Sequence, residues 1–310
     1  MRLSKPSTVD RAQKMKILTA LAKPFNRLLL WFRILTRVRG IALKTQLGLF
    51  LSAFIDTLFH TLGAQFATLP RAYVSGIIYS KRYSAYFYIR AFADDLYSVM
   101  PGREGDVNKL ILNCLKKGDI FIDVGANIGY YSVIAGKIVG ESGRVISVEP
   151  VPSTNKILEF NIRLNQLRNV KIIQKAAWSK NESITLYIPK GFYGLSSINK
   201  SEEITDMLVV EGAPLDSILS FPKADLLKID AEGSEYSILI GAQKTLRNTH
   251  YVVLEASNEK REIIQWLKEA GFKMQALKFT SYILAWQRNA QSFQHNDIEF
   301  QKCSNFMKNK

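Results

Sequence analysis

From about residue 105 onward, short β-branched and aliphatic runs alternate with helical stretches, and this alternation constrains the fold more than any other feature. Candidate strands are residues 119–125, 144–150, 169–178, 224–232, 251–257, 272–279 and 281–287. Candidate helices are residues 129–139, 153–166, 234–247 and 259–270. This order predicts an α/β fold with a mostly parallel seven-stranded sheet covered on both faces. The last two strands are joined by too short a link for a crossover, so we expect a terminal antiparallel hairpin.

The first 100 residues have a different character, being basic and rich in large apolar side chains. Residues 1–45 contain eleven Lys or Arg residues and one acid, Asp10, so they carry +10 of the chain's formal charge of +15. Polar residues recur at helical spacing within residues 21–40 and again from Lys44 to His60, which predicts two amphipathic helices. We therefore expect a helical amino-terminal extension over residues 1–100, a main domain over residues 101–290 and a polar tail over residues 291–310.

The basic, apolar segment at residues 1–70 has two interpretations that the sequence leaves open. One is an in-plane anchor on an anionic membrane surface, and the other is a helical cap on the main domain. A membrane crossing is disfavoured because Asp56 and His60 lie near the middle of the apolar stretch. A nucleic-acid partner is not expected, because residues 46–310 carry only +5 and show no basic stripe.

Cysteine spacing bears on the compartment. Cys114 and Cys303 lie far apart and match neither a metal-binding nor a CxxC spacing, so a reducing compartment is the simpler expectation. The predicted location is the cytoplasm, with a peripheral position on the cytoplasmic face of a membrane as the variant that the basic segment suggests.

The ends of the predicted strands carry the polar residues expected of a binding site. Ligands in open α/β sheets bind beyond the carboxyl ends of the strands, where the strand order reverses. The residues at those ends are Asp123, Gly125, Asn127, Gly129, Glu149, Ala176, Ala177, Trp178, Asp230, Glu232 and Glu255. We expect the carboxylates among them to converge on one edge of the sheet.

The loop after the first strand reads GxNxG, from Gly125 to Gly129. Its glycines allow a tight turn and a close approach of a ligand to the backbone. It lacks the GxGxxG spacing typical of a pyrophosphate-binding dinucleotide site, and Glu149, twenty residues after Gly129, is suited to accept hydrogen bonds from ribose hydroxyls. Adenosine without an essential pyrophosphate therefore fits better than a dinucleotide. A tight turn beside a solvated acid, with no ligand, is the alternative.

Five blocks of the sequence, in this order, resemble the FkbM-type S-adenosylmethionine-dependent methyltransferases. They include "GDIFIDVGANIGYYSVIAG", "VISVEPVPSTNKILEFNIRLN", "AAWS", "LDSIL" and "ADLLKIDAEGSEYSILIGAQKTL" followed by "VVLEAS". The resemblance covers about residues 105–260 and implies a Rossmann-like class I methyltransferase fold with S-adenosyl-L-methionine as the cofactor. It says nothing of residues 1–100 or of the tail.

The resemblance also implies roles for particular residues. Asp123, Gly125, Asn127 and Gly129 would lie near the methionine portion and ribose of the cofactor, and Glu149 would bind the ribose. Pro150 and Val151 would lie beside the adenine, bordered by Ala176, Ala177 and Trp178. For Trp178, core packing is an equal alternative.

Methyl transfer from a sulfonium is an in-line displacement that needs positioning and electrostatic preorganisation rather than a covalent intermediate. Asp230 or Glu232 is suited to take the proton of an oxygen acceptor, and Lys228 to modulate their charge. Structural alternatives are that Asp230 orients the cofactor's amino group, that Glu232 caps the next helix and that Lys228 is an ordinary strand residue. No metal is called for.

The sequence therefore predicts a methyltransferase that O-methylates a hydroxyl of a sugar, glycolipid or polyketide-like molecule. The acceptor is expected to be a small molecule, a glycan or a lipid-linked compound, contacted by the segment at residues 189–207 unless that segment is an ordinary surface connection. The alternatives are a nicotinamide-dependent dehydrogenase, which the GxNxG loop disfavours, and a non-catalytic cofactor-binding membrane adaptor.

Overall fold

The structure is a computed structural model that describes residues 24–62, 69–189, 197–198, 204–256, 260–277 and 281–287. The predictions for residues 1–23, for most of the segment at residues 189–207 and for the tail at residues 291–310 lie outside this part of the chain. The chain divides into two units, Met1–Pro101 and Gly102–Lys310.

The first unit combines helices with a small sheet. Its elements are α1 (24–37), β1 (Val38–Gly40), α2 (Leu43–Thr61), β2 (Gly76–Ser80), β3 (Ala85–Ile89) and α3 (Asp95–Val99). The two amphipathic helices occur where their periodicity predicts them. The three strands form an antiparallel sheet in the order β1-β2-β3, so the extension is not purely helical. The missed signal is "GIIYSKRYSAYFYI", in which two β-branched and aromatic runs flank a short turn.

The second unit is built on the predicted alternation of strands and helices. Its elements are α4 (Gly105–Cys114), β4 (Ile120–Val124), α5 (Tyr130–Val139), β5 (Arg144–Val148), α6 (Pro152–Leu164), β6 (Val170–Ile173), β7 (Ala176–Trp178), β8 (Glu182–Pro189), β9 (Ile204–Pro214), α7 (Leu215–Ile218), β10 (Ala224–Ile229), α8 (Glu235–Ile240), α9 (Gln243–Arg247), β11 (Thr249–Glu255), α10 (Lys260–Glu269), β12 (Phe272–Ala276) and β13 (Tyr282–Gln287).

The seven-stranded sheet has the order β12-β13-β11-β10-β4-β5-β6. Strands β11, β10, β4, β5 and β6 run parallel, whereas β13 pairs antiparallel with both β11 and β12. This confirms the predicted Rossmann-like class I methyltransferase fold with its terminal antiparallel hairpin. After β6 the chain returns to the other side of β4, so the strand order reverses between β4 and β10, which is where a ligand site is expected.

Two predicted elements are divided in the structure. The segment predicted as one strand over residues 169–178 forms β6 and β7 instead, separated by the polar pair Gln174 and Lys175. Strand β7 leaves the main sheet and pairs with β9, which also pairs with β8, in a second three-stranded sheet. The helix predicted over residues 234–247 breaks at Gly241, a weak helix former, into α8 and α9.

The core of the second unit lies between the main sheet and its helices. The central strands are continuous apolar runs, as expected of a parallel sheet covered on both faces. Phe121 and Ile122 of β4 and Leu227 of β10 are among the completely buried side chains. This rigid core holds the carboxyl ends of four neighbouring strands in fixed register. Within the described residues, no helix is both long enough and apolar enough to cross a membrane.

Candidate active site

A cleft of about 620 Å³ opens at the carboxyl edge of the main sheet. It lies at the ends of β5, β4 and β10, and the second sheet closes one side. The residues that line it are Val124, Gly125, Asn127, Val148, Glu149, Pro150, Val151, Ala176, Ala177, Trp178, Ile184, Leu186, Ile198, Asp230, Ala231, Glu232, Ser234 and Ile238. Ten of the fourteen site residues predicted from the sequence are in this set. Asp123, Gly129, Lys228 and Glu255 are not.

The loop between β4 and α5 is shaped by close backbone contact. Gly125 has φ 73°, and a Cβ at this position would lie 1.7 Å from the carbonyl oxygen of Asp230. The carbonyl oxygen of Val148 accepts hydrogen bonds from the amides of Gly125 and Ala126, at 3.0 and 3.1 Å. Gly125 is therefore required by the approach of the β10 end, and the loop is pinned to β5.

Glu149 joins the same loop to the start of α6. Its Oε2 accepts a hydrogen bond from the Asn127 amide, and its Oε1 accepts one from the Val151 amide, both at 2.9 Å. The carboxylate is buried at the cleft, where these two hydrogen bonds fix its position. A carboxylate oxygen can accept more than one hydrogen bond, so Glu149 is of the type suited to the hydroxyl groups of a ribose.

One wall of the cleft is apolar. Ala176, Ala177 and Trp178 belong to β7, and the Trp178 indole donates a hydrogen bond to Glu182 at 2.5 Å. Ile184 and Leu186 of β8, with Ile198, extend the wall and were not predicted from the sequence. Their signal is the alternation in "ESITLYIP", in which every second residue is buried.

Asp123 and Lys228 lie beneath the cleft in neighbouring strands. Asp123 is completely buried, and its Oδ2 accepts a hydrogen bond from the Ser132 hydroxyl at 2.6 Å. Lys228 Nζ lies 3.7 Å from Asp123 and 3.0 Å from Asp230. Burial raises the pKa of Asp123, although Lys228 opposes this. Asp123 therefore supports the floor of the site through Lys228 and Ser132.

Asp230 is held at the end of β10 by two donors. Its Oδ2 accepts hydrogen bonds from Lys228 at 3.0 Å and from the Tyr282 hydroxyl at 2.6 Å. Burial disfavours its charge, but Lys228, Arg103 and the Tyr282 hydrogen bond hold the Asp230 pKa below its ordinary value. Asp230 is therefore an acid on the cleft that is ionised at neutral pH.

Glu232 lies two residues further on and behaves in the opposite way. Its φ of 49° places it in the left-handed region, and its carbonyl oxygen accepts a hydrogen bond from the Ser197 hydroxyl at 2.7 Å. Burial, together with Asp230 and Glu255, raises the pKa of Glu232 to about 8. Two acids on one cleft therefore have pKa values pushed apart, a pattern typical of paired functional groups.

The sequence alternative that Glu232 caps α8 is not what the structure shows. The amino terminus of α8 has no side-chain cap among the described residues, and Glu235 instead accepts hydrogen bonds from the amides of Ala231 and Gly233 in the preceding turn. Glu235 thereby stabilises the turn that presents Glu232 to the cleft.

A basic and aromatic group near Asp230 was missed by the sequence analysis. Arg103 forms an ion pair with Glu104 at 2.6 Å, and Glu104 accepts a hydrogen bond from the Tyr131 hydroxyl at 2.5 Å. The Lys228 ammonium lies 5.1 Å from the centre of the Tyr131 ring. The positive charge of Arg103 stabilises the ionised form of Asp230, and the negative charge of Glu104 stabilises the charged form of Lys228.

Three carboxylates at this edge come close together. Asp230, Glu232 and Glu255 offer oxygen atoms within 4.8 Å of one another, which is compatible with a divalent cation. Burial, followed by the charge of Asp230, raises the pKa of Glu255 to about 6, while the Ser281 hydroxyl donates to it at 2.6 Å. The predicted independence from metal stays a prediction.

The residues present fit S-adenosylmethionine. An apolar wall and a fixed carboxylate line the same cleft, which suits the purine and the ribose diol of a nucleoside. The ionised Asp230 suits a cationic ligand, and the Gly125 loop leaves room for a close approach to the backbone.

Comparison with known proteins gives a family match over this part of the chain. Residues 123–274 match the model described as the methyltransferase FkbM domain. The chain is 24% identical over 199 residues to the hexuronic acid methyltransferase AglP of Haloferax volcanii, covering 63% of this chain and 81% of that protein. It is 39% identical over 77 residues to a probable cobalt-precorrin-6B C(15)-methyltransferase (decarboxylating) of Sulfolobus acidocaldarius, covering 25% of this chain and 40% of that protein.

Among solved structures, an S-adenosylmethionine-dependent O-methyltransferase from Thermotoga maritima aligns at 16% identity with a TM-score of 0.41. The alignment covers 68% of this chain and 77% of that one.

Proposed function

This chain belongs, through residues 123–274, to the FkbM family of S-adenosylmethionine-dependent methyltransferases, and we propose that it methylates a hydroxyl oxygen of a sugar, glycolipid or polyketide-like acceptor. The observation that carries the proposal is the pair of acids at the end of β10. Asp230 is held ionised by Lys228 and Tyr282, whereas Glu232 has a pKa of about 8 on the same cleft as Glu149.

Bound S-adenosylmethionine supplies an electrophilic methyl group and leaves as a neutral thioether. Glu149 and the apolar wall hold the nucleoside, and the negative charge of Asp230 favours a cationic ligand beside it. We assign proton acceptance to Glu232, because a base works best when its pKa lies near the operating pH. The acceptor oxygen forms a bond to the methyl carbon, the carbon–sulfur bond breaks with its electron pair on sulfur, and the hydroxyl proton passes to Glu232.

One observation supports a sugar as the acceptor, and another supports oxygen as the acceptor atom. AglP, the relative that aligns over the larger part of this chain, is named for a hexuronic acid. The oxygen chemistry is supported by Glu232, since a hydroxyl acceptor must lose a proton during transfer and an acid with a pKa of about 8 is suited to remove it.

The cofactor is tested by calorimetric titration with S-adenosylhomocysteine and, separately, with NAD. We expect saturable binding of S-adenosylhomocysteine and none of NAD. Binding of NAD alone would favour the dehydrogenase alternative.

The acceptor atom is tested by mass spectrometry of reactions with S-adenosylmethionine and a panel of hydroxylated glycans, lipids and hexuronic acids. Methylation of a hydroxyl gives an ether that survives mild alkali, whereas methylation of a carboxylate gives an ester that alkali cleaves. An alkali-labile product would replace the hydroxyl with a carboxylate acceptor. Cofactor binding with no product across the panel would favour the non-catalytic adaptor.

A further inference from the structure

Helices α1 and α2 of the first unit expose many of their large apolar residues, while α2 buries several small and polar ones. The inward side of α2 carries Thr45, Gly48, Leu49, Ser52 and Asp56, all of which are buried. The exposed large apolar residues of α1 and α2 are Phe25, Leu28, Leu29, Phe32, Leu43, Leu47, Phe50, Leu51, Phe54, Leu58 and Phe59. A helix of a water-facing protein has the reverse distribution.

A buried ion pair sets this orientation. Asp56 is 2% exposed and accepts two hydrogen bonds from the Arg27 guanidinium, at 2.6 and 2.7 Å, and one from the Trp31 indole at 2.5 Å. Because a buried carboxylate is costly unless it is paired, Asp56 holds its side of α2 against α1. Because its carboxylate is enclosed between α1 and α2, Asp56 does not interrupt the exposed apolar side of α2.

The outward side of α2 forms one continuous stripe. Leu43, Leu47, Phe50, Phe54 and Leu58 follow one another at intervals of three or four residues, so they lie on one side of the helix. Leu43 is 75% exposed and Phe54 is 68% exposed. On α1, Phe25, Leu28 and Phe32 form a second exposed stripe with the same spacing. Exposed apolar surface of this extent is typical of an interaction site.

The net charge of residues 24–62 indicates which kind of partner this surface binds. Arg33, Arg37, Arg39 and Lys44 are exposed, and Asp56 is the sole acid within residues 24–62. Since Asp56 is neutralised by Arg27, the remaining charge is strongly positive. Two copies of this surface would repel each other, whereas an anionic lipid headgroup layer would attract it.

We propose that the exposed apolar surface of α1 and α2, referred to below as the outward face, inserts into the headgroup and upper acyl region of an anionic bilayer. Its apolar stripes enter the lipid, and its Arg and Lys residues contact the headgroups. Such a helix lies in the plane of the interface and does not cross it. The surface belongs to a different unit from the methyltransferase cleft, so the inference does not depend on the proposed function.

The test is flotation of the full chain with vesicles of phosphatidylcholine alone or with about one third phosphatidylglycerol. We expect the chain to float with the anionic vesicles, more weakly at high salt. The variant Phe50→Ser with Phe54→Ser should lower the partition coefficient on the order of 100-fold, since each buried Phe is worth about tenfold. Phe221→Ser, which changes an exposed Phe of the second unit, is the matched control and should leave flotation unchanged.

Two further measurements keep the test decisive. Amide hydrogen exchange of α1 and α2 should be the same in the variants as in the unaltered chain, which shows that loss of flotation is not loss of folding. Arg33→Ser with Arg37→Ser should weaken binding to anionic vesicles and leave the weaker binding to neutral ones unchanged. The proposal is overturned if the full chain floats with neither vesicle, or if Phe50→Ser with Phe54→Ser floats normally. Self-association in analytical ultracentrifugation that the same variant abolishes, without vesicle binding, would assign the surface to a second copy.

Discussion

Both units of the chain pair an acid with a buried cation, but the two acids have different surroundings. In the first unit, Arg27 and Trp31 supply donors to both oxygens of Asp56, and the carboxylate is enclosed between two helices. In the second unit, Asp230 is paired with Lys228 and Tyr282 yet lines an open cleft beside Glu232. The difference indicates that a fully enclosed acid stabilises packing, whereas an acid at a strand end beside a cleft is available for chemistry.

The units also differ in where their apolar surface lies. The second unit buries it between a sheet and helices and leaves its polar residues at one edge. The first unit leaves much of its apolar surface outside. The same physical rule, that buried charge must be paired, therefore supports a reactive edge in one unit and an outward apolar face in the other.

The largest expected effect is a loss of turnover in the second unit, caused by a substitution at Glu232 that leaves cofactor binding intact. Glu232→Gln should lower kcat by about 10²–10⁴-fold, because the acceptor hydroxyl loses its general base. The affinity for S-adenosylhomocysteine should change little.

In the unaltered chain, kcat should rise with pH through about 8, because Glu232 must be ionised to accept a proton. Steady-state kinetics across pH tests both points, with the exposed Glu159→Gln as the control; a normal kcat in Glu232→Gln would remove Glu232 from proton transfer.

A substitution at Asp56 tests the structural side of the comparison. Asp56→Asn should lower the free energy of opening of α2 by about 3–5 kcal/mol, because it leaves the buried Arg27 charge without a counter-charge. Amide hydrogen exchange of α2 measures this opening. The double variant Arg27→Met with Asp56→Leu should recover part of the loss. Unchanged exchange in the single variant would show that the ion pair does not hold the helices together.

A smaller effect is expected at the nucleoside end of the cleft. Glu149→Gln should weaken S-adenosylhomocysteine binding by about 10–150-fold, because hydrogen bonds to a charged group contribute about 1.5–3 kcal/mol. Calorimetric titration gives the dissociation constant, and Glu141→Gln, a change at an exposed site, is the control. Equal affinities in the two variants would mean that Glu149 only pins the loop to which it is hydrogen-bonded.

Tyr282→Phe is expected to shift the pH dependence of S-adenosylhomocysteine binding without abolishing that binding. Removing the hydroxyl removes a hydrogen bond that favours the ionised form, so the pKa of Asp230 rises. Acid should then weaken S-adenosylhomocysteine binding from a higher pH than in the unaltered chain, with little change at alkaline pH. Tyr251 lies near the start of β11, whereas Tyr282 is paired with Glu255 at the end of that strand. Tyr251→Phe should therefore leave the pH dependence of the dissociation constant unchanged. A Tyr282→Phe profile that coincides with this control would show that Tyr282 does not tune Asp230.

Chelation is expected to have the smallest effect. Treatment with EDTA followed by gel filtration should leave activity unchanged, because Lys228 and Arg103 already compensate the charge around Asp230. Loss of activity that Mg²⁺ or Mn²⁺ restores would instead assign a cation to Asp230, Glu232 and Glu255.

Much of the main sheet was predictable because its signals are local. The strands β4, β5, β10 and β11 are short apolar runs followed by polar residues, and their order predicts that those residues meet. The second sheet was missed because β7 follows β6 after two residues and reads as its continuation. Tyr282 was missed as a partner of Asp230 because the predicted hairpin gives a strand but not its register, and the register places Tyr282 opposite Glu255.

The sequence alone determined the alternation of strands and helices, the glycine loop, Glu149 and the acids at the end of β10, because each depends on residues close together in the chain. Tertiary structure decided which side of each amphipathic helix is buried, since periodicity defines two opposite sides but not the one that meets a partner. It also decided the roles of the acids. Asp56 is enclosed by Arg27 and Trp31, more than twenty residues away, and Asp230 and Glu232 acquire opposite pKa shifts from neighbours that only folding brings together.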